Sequence, residues 1–497
     1  YRITKFNVSV KKTHPISNNK KSSEFVSQSI LSNGWNWFKL GISQSGLYKI
    51  DYSYLVNHGI IDGPTPSSQL HLYSNNQGLL NTENGTFRPD DLIQRTLHIN
   101  DGNDGNFSLG DYVLFYHNGS DRVEMDNGKY RHVNHIYSDS AYCFLGIGPG
   151  ATNSTDSINN LNQNYNQVIN EFWDFAYINE DKINLLKSGA IWLGDVFDLT
   201  NQYTYDFPFS NLSDSSFLKL RVVSKSSSTP ASFNLSLFGQ NRTIAINGSG
   251  SSYLSDAGRA AVVEYPFVNN LNSNYQLDLT YNNNGSPSAK GYLDYIEVNC
   301  MRQLIVDNSS FDFSLSSDNS AWSKINLQNS NSVQMIWDIT DLNNVKNLVF
   351  ERDGNNLFFV DVIDSLKNYM AISGNSFSYP TFIKRVESQN LHGLSSADLI
   401  IITNSKFSQS AATLKTFHEQ EGLSVHVITD QQIYNEFSSG MRDATALKQF
   451  LRMFYVRGSG IPNQIPKYCV LIGDGTYDNR NILDHGNNLL PVFESQE

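Results

Sequence analysis

The hydrophobic period of this chain changes near residue 395, and that change constrains the fold more than any other feature. Upstream, apolar residues recur at every second position: Leu218, Leu220 and Val222; Phe233, Leu235 and Leu237; Tyr275, Leu277, Leu279 and Tyr281. Polar residues separate them, and turn signals recur about every ten to fifteen residues, the pattern of half-buried antiparallel strands in a sandwich or jelly roll. Downstream the apolar residues come in unbroken runs. Leu399 to Thr403 (LIIIT) and Tyr468 to Ile472 (YCVLI) read as strands buried on both faces, and Val425, Val427 and Ile428 make a further strand between them. Two helical patterns separate these runs. Ser408 to Gly422 turns Ala411, Leu414 and Phe417 inward and ends at Gly422; Asp443 to Gly458 places Leu447, Phe450, Leu451 and Phe454 at helical spacing behind Asp443 as N-cap. A βαβαβ order predicts parallel strands and right-handed crossovers. Three strands are fewer than a doubly wound sheet normally has, so the reading is of an unfinished α/β domain.

Composition agrees with a β-rich chain. Of 497 residues, 12% are aromatic and only 17% charged, which favours short strands and polar turns over long surface helices. Four segments are expected: a β-rich domain over 1–167, a β-sandwich or jelly roll over 168–304, a β-rich connecting module over 305–394, and the α/β segment over 395–497. In the first, Trp37 to Ile42 and Leu47 to Ile50 flank the turn Ser45-Gly46. Asp51 to Gly59 is a short helix, and Asp111 to His117 is a strand with Val113 and Phe115 on one face. Asn159 to Gln167 reads as a linker. In the third, Asp353-Gly354 is a hairpin turn between Asn347–Glu351 and Leu357–Asp361.

Several function classes are excluded or weakened. A net charge of −12 without clustered Lys and Arg argues against nucleic acid; Lys11, Lys12, Lys20 and Lys21 are diluted by Asn and Ser. Three scattered cysteines, Cys143, Cys300 and Cys469, rule out a disulfide scaffold and a CxxC metal site. No apolar run is long enough for a membrane-spanning helix. Asp101 to Asn106 (DGNDGN) has calcium-loop composition, but its second glycine falls at the fifth position instead of the sixth, so a polar hairpin turn is the better reading. No cofactor is expected, with a structural calcium ion left open. Gly146, Gly148 and Gly150 have no helix behind them and read as a turn or linker.

The chemistry-bearing motif is YCVLIGDGTYD, Tyr468 to Asp478. A parallel strand ending in Gly473-Asp474-Gly475 sits where an open α/β sheet forms its ligand crevice, with Asp474 on the rim. On spacing alone a tight turn with Asp474 as a local cap is the favoured reading. A phosphoacceptor receiver domain would need an acidic pair where Asn404-Ser405-Lys406 stands, and a dinucleotide fold would need GxGxxG after its first strand. Cys469 and His485 are not expected to act as a dyad. Cys469 lies within the apolar strand, whereas a reactive thiolate needs an accessible electropositive site, and His485 falls in a polar loop.

The stretch from Ala397 to Asp478 resembles the opening of the gingipain-type cysteine peptidase domain, through ADLIIIT, HEQEGLSVHVIT, QQIYNEFSSGMRDATALKQFL and YCVLIGDGTYD in order. Upstream, FKLGISQSGLYKID, DGNDGNFSLGDYVLFY and LDYIEVN are similar to the β-rich extension of the family's cell-surface sortase branch, part of the type IX secretion system of Bacteroidota. The resemblance implies a caspase-like sheet and a thiolate nucleophile activated by His. The family's Gly-His-Gly and nucleophile motifs do not occur here, so no catalytic residue is assigned and the dyad is expected beyond Glu497. Gly473, Asp474 and Gly475 are then supporting residues at the catalytic edge. It further implies cleavage of the C-terminal sorting signal of secreted cargo, transfer of that cargo to a surface lipopolysaccharide, and an outer-membrane β-barrel partner, PorV-like. A peripheral place on the outer membrane follows, with an export signal removed before Tyr1. A secreted gingipain-like protease and an inactive β-rich glycan- or protein-binding surface protein remain the alternatives.

Overall fold

The computed structural model describes residues 25–493, except 76–77, 227–228, 251–255, 272, 308, 317–319, 375–376, 460 and 462–463. The basic residues Lys11, Lys12, Lys20 and Lys21 lie outside the described residues.

Alternation dictates three face-to-face pairs of sheets. In the first, a five-stranded sheet (381–386, 36–42, 141–147, 70–74, 93–95) faces a three-stranded one (46–51, 112–117, 98–100). Phe38, Leu40, Ile42, Tyr48, Ile50, Val113 and Phe115 fill the space between them. The expected short helix is Tyr52–Asn57, capped by Asp51, whose carboxylate accepts from the Tyr54 N–H, and Gly59 follows at φ +64°. Gly146 does not form a turn, whereas Gly148 and Gly150 lie in the bend that follows the strand. Gly146 belongs to the strand Ala141–Ile147, and the Trp35 indole lies so close that a Cβ on Gly148 would sit 2.1 Å from it.

The second pair is the sandwich read from the sequence. Strands 171–179, 290–303, 212–225 and 259–268 face strands 202–207, 275–282, 231–237 and 240–246, all antiparallel. Leu218, Leu220, Val222, Phe233, Leu235, Leu277 and Leu279 are fully buried between them. In the third pair, sheet 156–158, 346–348, 333–338, 367–373, 311–315 packs on sheet 167–169, 321–327, 356–363, 351–353. The hairpin around Gly354 is present, but its first strand is Glu351–Asp353, while Lys346–Leu348 joins the opposite sheet. Strands do not stay with their neighbours in sequence. Segments 156–158 and 167–169 pair with 346–348 and 323–325, and 381–386 returns to pair with 37–41.

The last segment is the parallel three-stranded sheet expected from its unbroken runs, in the order 425–429, 399–403, 468–472. Its helices are Ser408–Gln420, Asp430–Phe437 and Ala444–Gly458. Asp443 caps the last, as its position before the apolar periodicity predicts, and Leu447, Phe450, Met453 and Phe454 are buried. The helix Asp430–Phe437, which the sequence reading did not assign, buries Ile433, Tyr434 and Phe437 on one face. It starts at a capping box made by Thr429 and Gln432.

Two expectations fail here. Phe417 does not face inward but is 54% exposed. Strand 468–472 is not buried on both faces: Val470 and Ile472 pack on Leu399, Ile401 and Ala411, but the core around Ile400, Ile402 and Ile428 does not extend to Cys469 and Leu471, which are exposed together with Tyr468. Cys469 is therefore accessible, contrary to the inference from its apolar flanks.

Candidate catalytic edge

Parallel register aligns the carboxyl ends of all three strands. Thr403 pairs with both Thr429 and Ile472, so Asn404, Asp430 and the Gly473-Asp474-Gly475 turn follow in one row. The Asn404 amide donates to Asp430 Oδ2 at 3.4 Å and to the Leu489 carbonyl at 3.3 Å. Burial pushes the Asp430 carboxyl up, opposed by hydrogen bonds from the Gln431 N–H and Asn404 and by the charge of Arg442. Arg442 donates to the Asn488 carbonyl at 3.0 Å. A buried polar layer thus underlies the edge.

The glycines are dictated by crowding. A Cβ on Gly475 would lie 2.4 Å from Val492 Cγ2, and one on Gly473 would lie 2.8 Å from Leu490 Cγ. The Asp474 carbonyl accepts from the Leu489 and Leu490 N–H groups at 2.8 and 2.9 Å, and its carboxylate accepts from the Gly475 N–H at 2.9 Å while remaining exposed. The turn is closed by its own backbone, with an exposed carboxylate on the rim of the edge.

No nucleophile–base pair is assembled among the described residues. Cys143 and Cys300 are fully buried, and burial pushes the Cys300 thiol up to about 12 and that of Cys143 further. Cys469 points from the edge strand with no imidazole hydrogen-bonded to it, and His485 is exposed in the following loop. No group of three His, Cys, Asp or Glu side chains among the described residues can hold a metal ion. In DGNDGN, Asp101 and Asp104 cap the Asn103 and Asn106 N–H groups of their own loop at 3.0 and 2.8 Å. A hollow of about 380 Å³ between the β modules, lined by Tyr116, Tyr130, Trp173 and Asp312, contains no cysteine or histidine.

Sequence reasoning missed how the last segment is anchored. Residues 438–443 plug into the first module: Met441 enters its core, Ser439 Oγ bonds Ser74 Oγ at 3.1 Å, and Lys39 donates to the Gly440 carbonyl at 2.7 Å. Lys39 is buried in the strand Asn36–Ile42; burial and the charge of Lys384 lower it to about 7. On the far side, His392 bridges Glu436 and Asp90 at 2.6 and 3.1 Å. A lysine inside an apolar strand is the one signal in the sequence that a polar partner must arrive there.

Residues 392–497 match the family model of peptidase family C25. No curated protein matches the chain. Among solved structures, the crystal structure of dimeric latent PorU from Porphyromonas gingivalis superposes with a TM-score of 0.81 at 21% identity, covering 95% of this chain and 45% of that one. Two carbohydrate-binding modules also align, each over 25% of this chain with a TM-score of 0.16. One is the CBM36-1 domain of a xylanase from the hindgut metagenome of Trinervitermes trinervoides (17% identity, 96% of that chain), the other a CBM36 with calcium and xylotriose (12%, 98% of that chain). At that score they carry no weight. This chain spans less than half the length of the PorU chain it resembles. It is PorU-like in fold, three paired β-sheet modules followed by a gingipain-type segment that matches peptidase family C25 over residues 392–497.

Proposed function

We propose that this chain supplies the accessory β modules and the first strands of the peptidase domain of a cell-surface cysteine endopeptidase, one that acts as the type IX secretion sortase. The observation that supports this most directly is the parallel sheet of residues 399–472, whose carboxyl edge carries Asn404, Asp430 and the Gly473-Asp474-Gly475 turn inside the segment matched by the C25 family. In the proposed reaction a Cys thiolate, activated by His, attacks the peptide carbonyl at the cargo's sorting-signal junction. Backbone N–H groups hold the oxyanion, and the departing amine takes a proton. Water then hydrolyses the thioester, or an amine on a surface lipopolysaccharide displaces it and joins the cargo to the glycolipid. Gly473, Asp474 and Gly475 shape the edge and do not react. The β modules would dock the enzyme at the outer membrane against a PorV-like barrel.

The test uses the full-length gene product and a peptide spanning a cargo–sorting-domain junction, with and without a thiol alkylator and an amine acceptor. Alkylator-sensitive cleavage with the amine joined to the new carboxyl end supports the sortase reading. Cleavage without joining supports a plain gingipain-like protease. No cleavage with any junction peptide rejects both.

A further inference from the structure

The sequence from Gly473 to Val492 contains many Asn, Asp and Gly residues, yet it folds into a compact loop whose ends meet. Its root is the pair of bonds from the Leu489 and Leu490 N–H groups to the Asp474 carbonyl. Inside, buried Asp478 accepts from the Ile482 and Leu483 N–H groups, both at 2.8 Å, and its carbonyl accepts from the Asn488 amide at 2.9 Å. Asn479 exchanges two bonds with the Val492 backbone, at 2.9 and 3.1 Å. Such internally satisfied loops with adjoining ends are Ω-loops, which are frequently functional.

The tip of this loop is held by other modules. The Tyr477 ring stacks on Trp192 with centroids 5.8 Å apart and planes 20° from parallel. Arg480 makes an ion pair with Asp139 at 2.9 Å and another with Asp181. Asp181 also accepts from the Asn134 amide at 2.9 Å. Trp192 and Asp181 belong to the loop between the sandwich strands Glu171–Asn179 and Val196–Phe197, while Asn134 and Asp139 belong to the first module. One guanidinium therefore ties the sandwich and the first module to a loop rooted at the carboxyl edge of the parallel sheet. A planar fork suits this better than an ammonium, because its nitrogens address two carboxylates at once. The Arg480 and Asp181 side chains are only 14% and 10% exposed, so the pair is shielded from salt more than a surface bridge would be.

We propose that residues 474–489 are a coupling strap and that Arg480 is its positioning residue: the packing of the sandwich against the first module is transmitted through Arg480 and Tyr477 to the Asp474 turn. Displacing either β module then alters the order of the edge without touching it. The name "catalytic edge" rests on the peptidase reading; the mechanical coupling does not.

Hydrogen exchange measured on this chain, with Arg480→Ala, Arg480→Lys, Tyr477→Ala and the surface control Lys415→Ala, tests the strap. The expected result is at least about tenfold faster exchange in peptides covering Leu489 and Leu490 for Arg480→Ala. Arg480→Lys should give partial restoration, and the sandwich strand Leu218–Val222 should be unchanged throughout. Adding Arg480→Ala to Asp181→Asn should have less effect than adding it to the parent. Unchanged protection at the root in both Arg480→Ala and Tyr477→Ala overturns the proposal, and so does equal loss in the sandwich strand. A positive exchange result beside a negative peptidase assay would reject the enzyme reading and leave the strap standing.

Discussion

At His392 a buried imidazole lies between two carboxylates, Glu436 and Asp90, and stacks on Phe437 at 4.6 Å. Burial opposes its charge, but the hydrogen bonds and charges of Asp90 and Glu436 outweigh that and lift it to about 9. Because this lies above the unfolded value near 6.5, the stabilisation is complete below pH 6.5 and is lost as pH rises through about 9. Thermal melts between pH 6.5 and 9.5 should show a falling Tm, worth at most about 3 kcal/mol, and His392→Gln should flatten the slope. Asp443 separates acceptor from charge. Burial raises its carboxyl to about 6, while it accepts from the Leu80 and Thr445 N–H groups at 2.9 and 2.7 Å. A carboxyl raised in the fold favours folding most below its unfolded value near 3.8, and that gain is gone once pH passes about 6. Denaturant unfolding at pH 7 should show Asp443→Asn losing about 1 kcal/mol, because its single amide oxygen can accept from only one of the two N–H groups that the two carboxylate oxygens serve. Asp443→Ala should lose about 2 kcal/mol, leaving two donors unpaired. Cys469 shows where residue-level reading stops: YCVLI and LIIIT look alike, and only the strand order makes one central and the other an edge.

Among the elements, those with a local cause were legible. The helix Ala444–Gly458 has its cap and its i, i+3, i+4 apolar spacing in adjacent residues, and the alternating strands of the sandwich carry their burial pattern in every second side chain. The helix Asp430–Phe437 was not, since its buried face includes Asn435 and Glu436, polar residues whose side chains bond Gln389, more than forty positions away in sequence. The Gly473-Asp474-Gly475 turn was visible as a motif, but its reason, the approach of Leu490 and Val492, was not. Gly475→Ala must push Val492 aside and should cost about 1–3 kcal/mol, with loss of protection across 489–492 in hydrogen exchange and little change in the sandwich.

For the whole molecule, the hairpin 122–133 tests how the modules hold one another. It lies against the sandwich strand Lys290–Gln303. The Tyr130 N–H donates to Asn299 Oδ1 at 2.6 Å, the His132 N–H donates to Glu297 at 2.9 Å, and Arg131 makes ion pairs with Glu264 and Glu297. Glu297 is only 2% exposed; burial acts against its charge, but the His132 bonds and nearby cations hold its carboxyl below the usual range. Glu297→Ala should cost about 3 kcal/mol and open the hairpin to limited proteolysis between 122 and 133, and the wild-type docking should weaken as pH falls below about 4.5. The sequence by itself determined the period of each segment, hence paired antiparallel sheets followed by parallel strands with helical crossovers, because side-chain alternation and helical spacing are local consequences of backbone geometry. Only the tertiary structure decided which distant strands became neighbours, which strand of the parallel sheet lay at its edge, and that Lys39, His392 and Arg480 would fasten the last segment to the β modules. Those outcomes depend on contacts between residues hundreds of positions apart, whose partners are chosen by packing and by the need to satisfy buried charge.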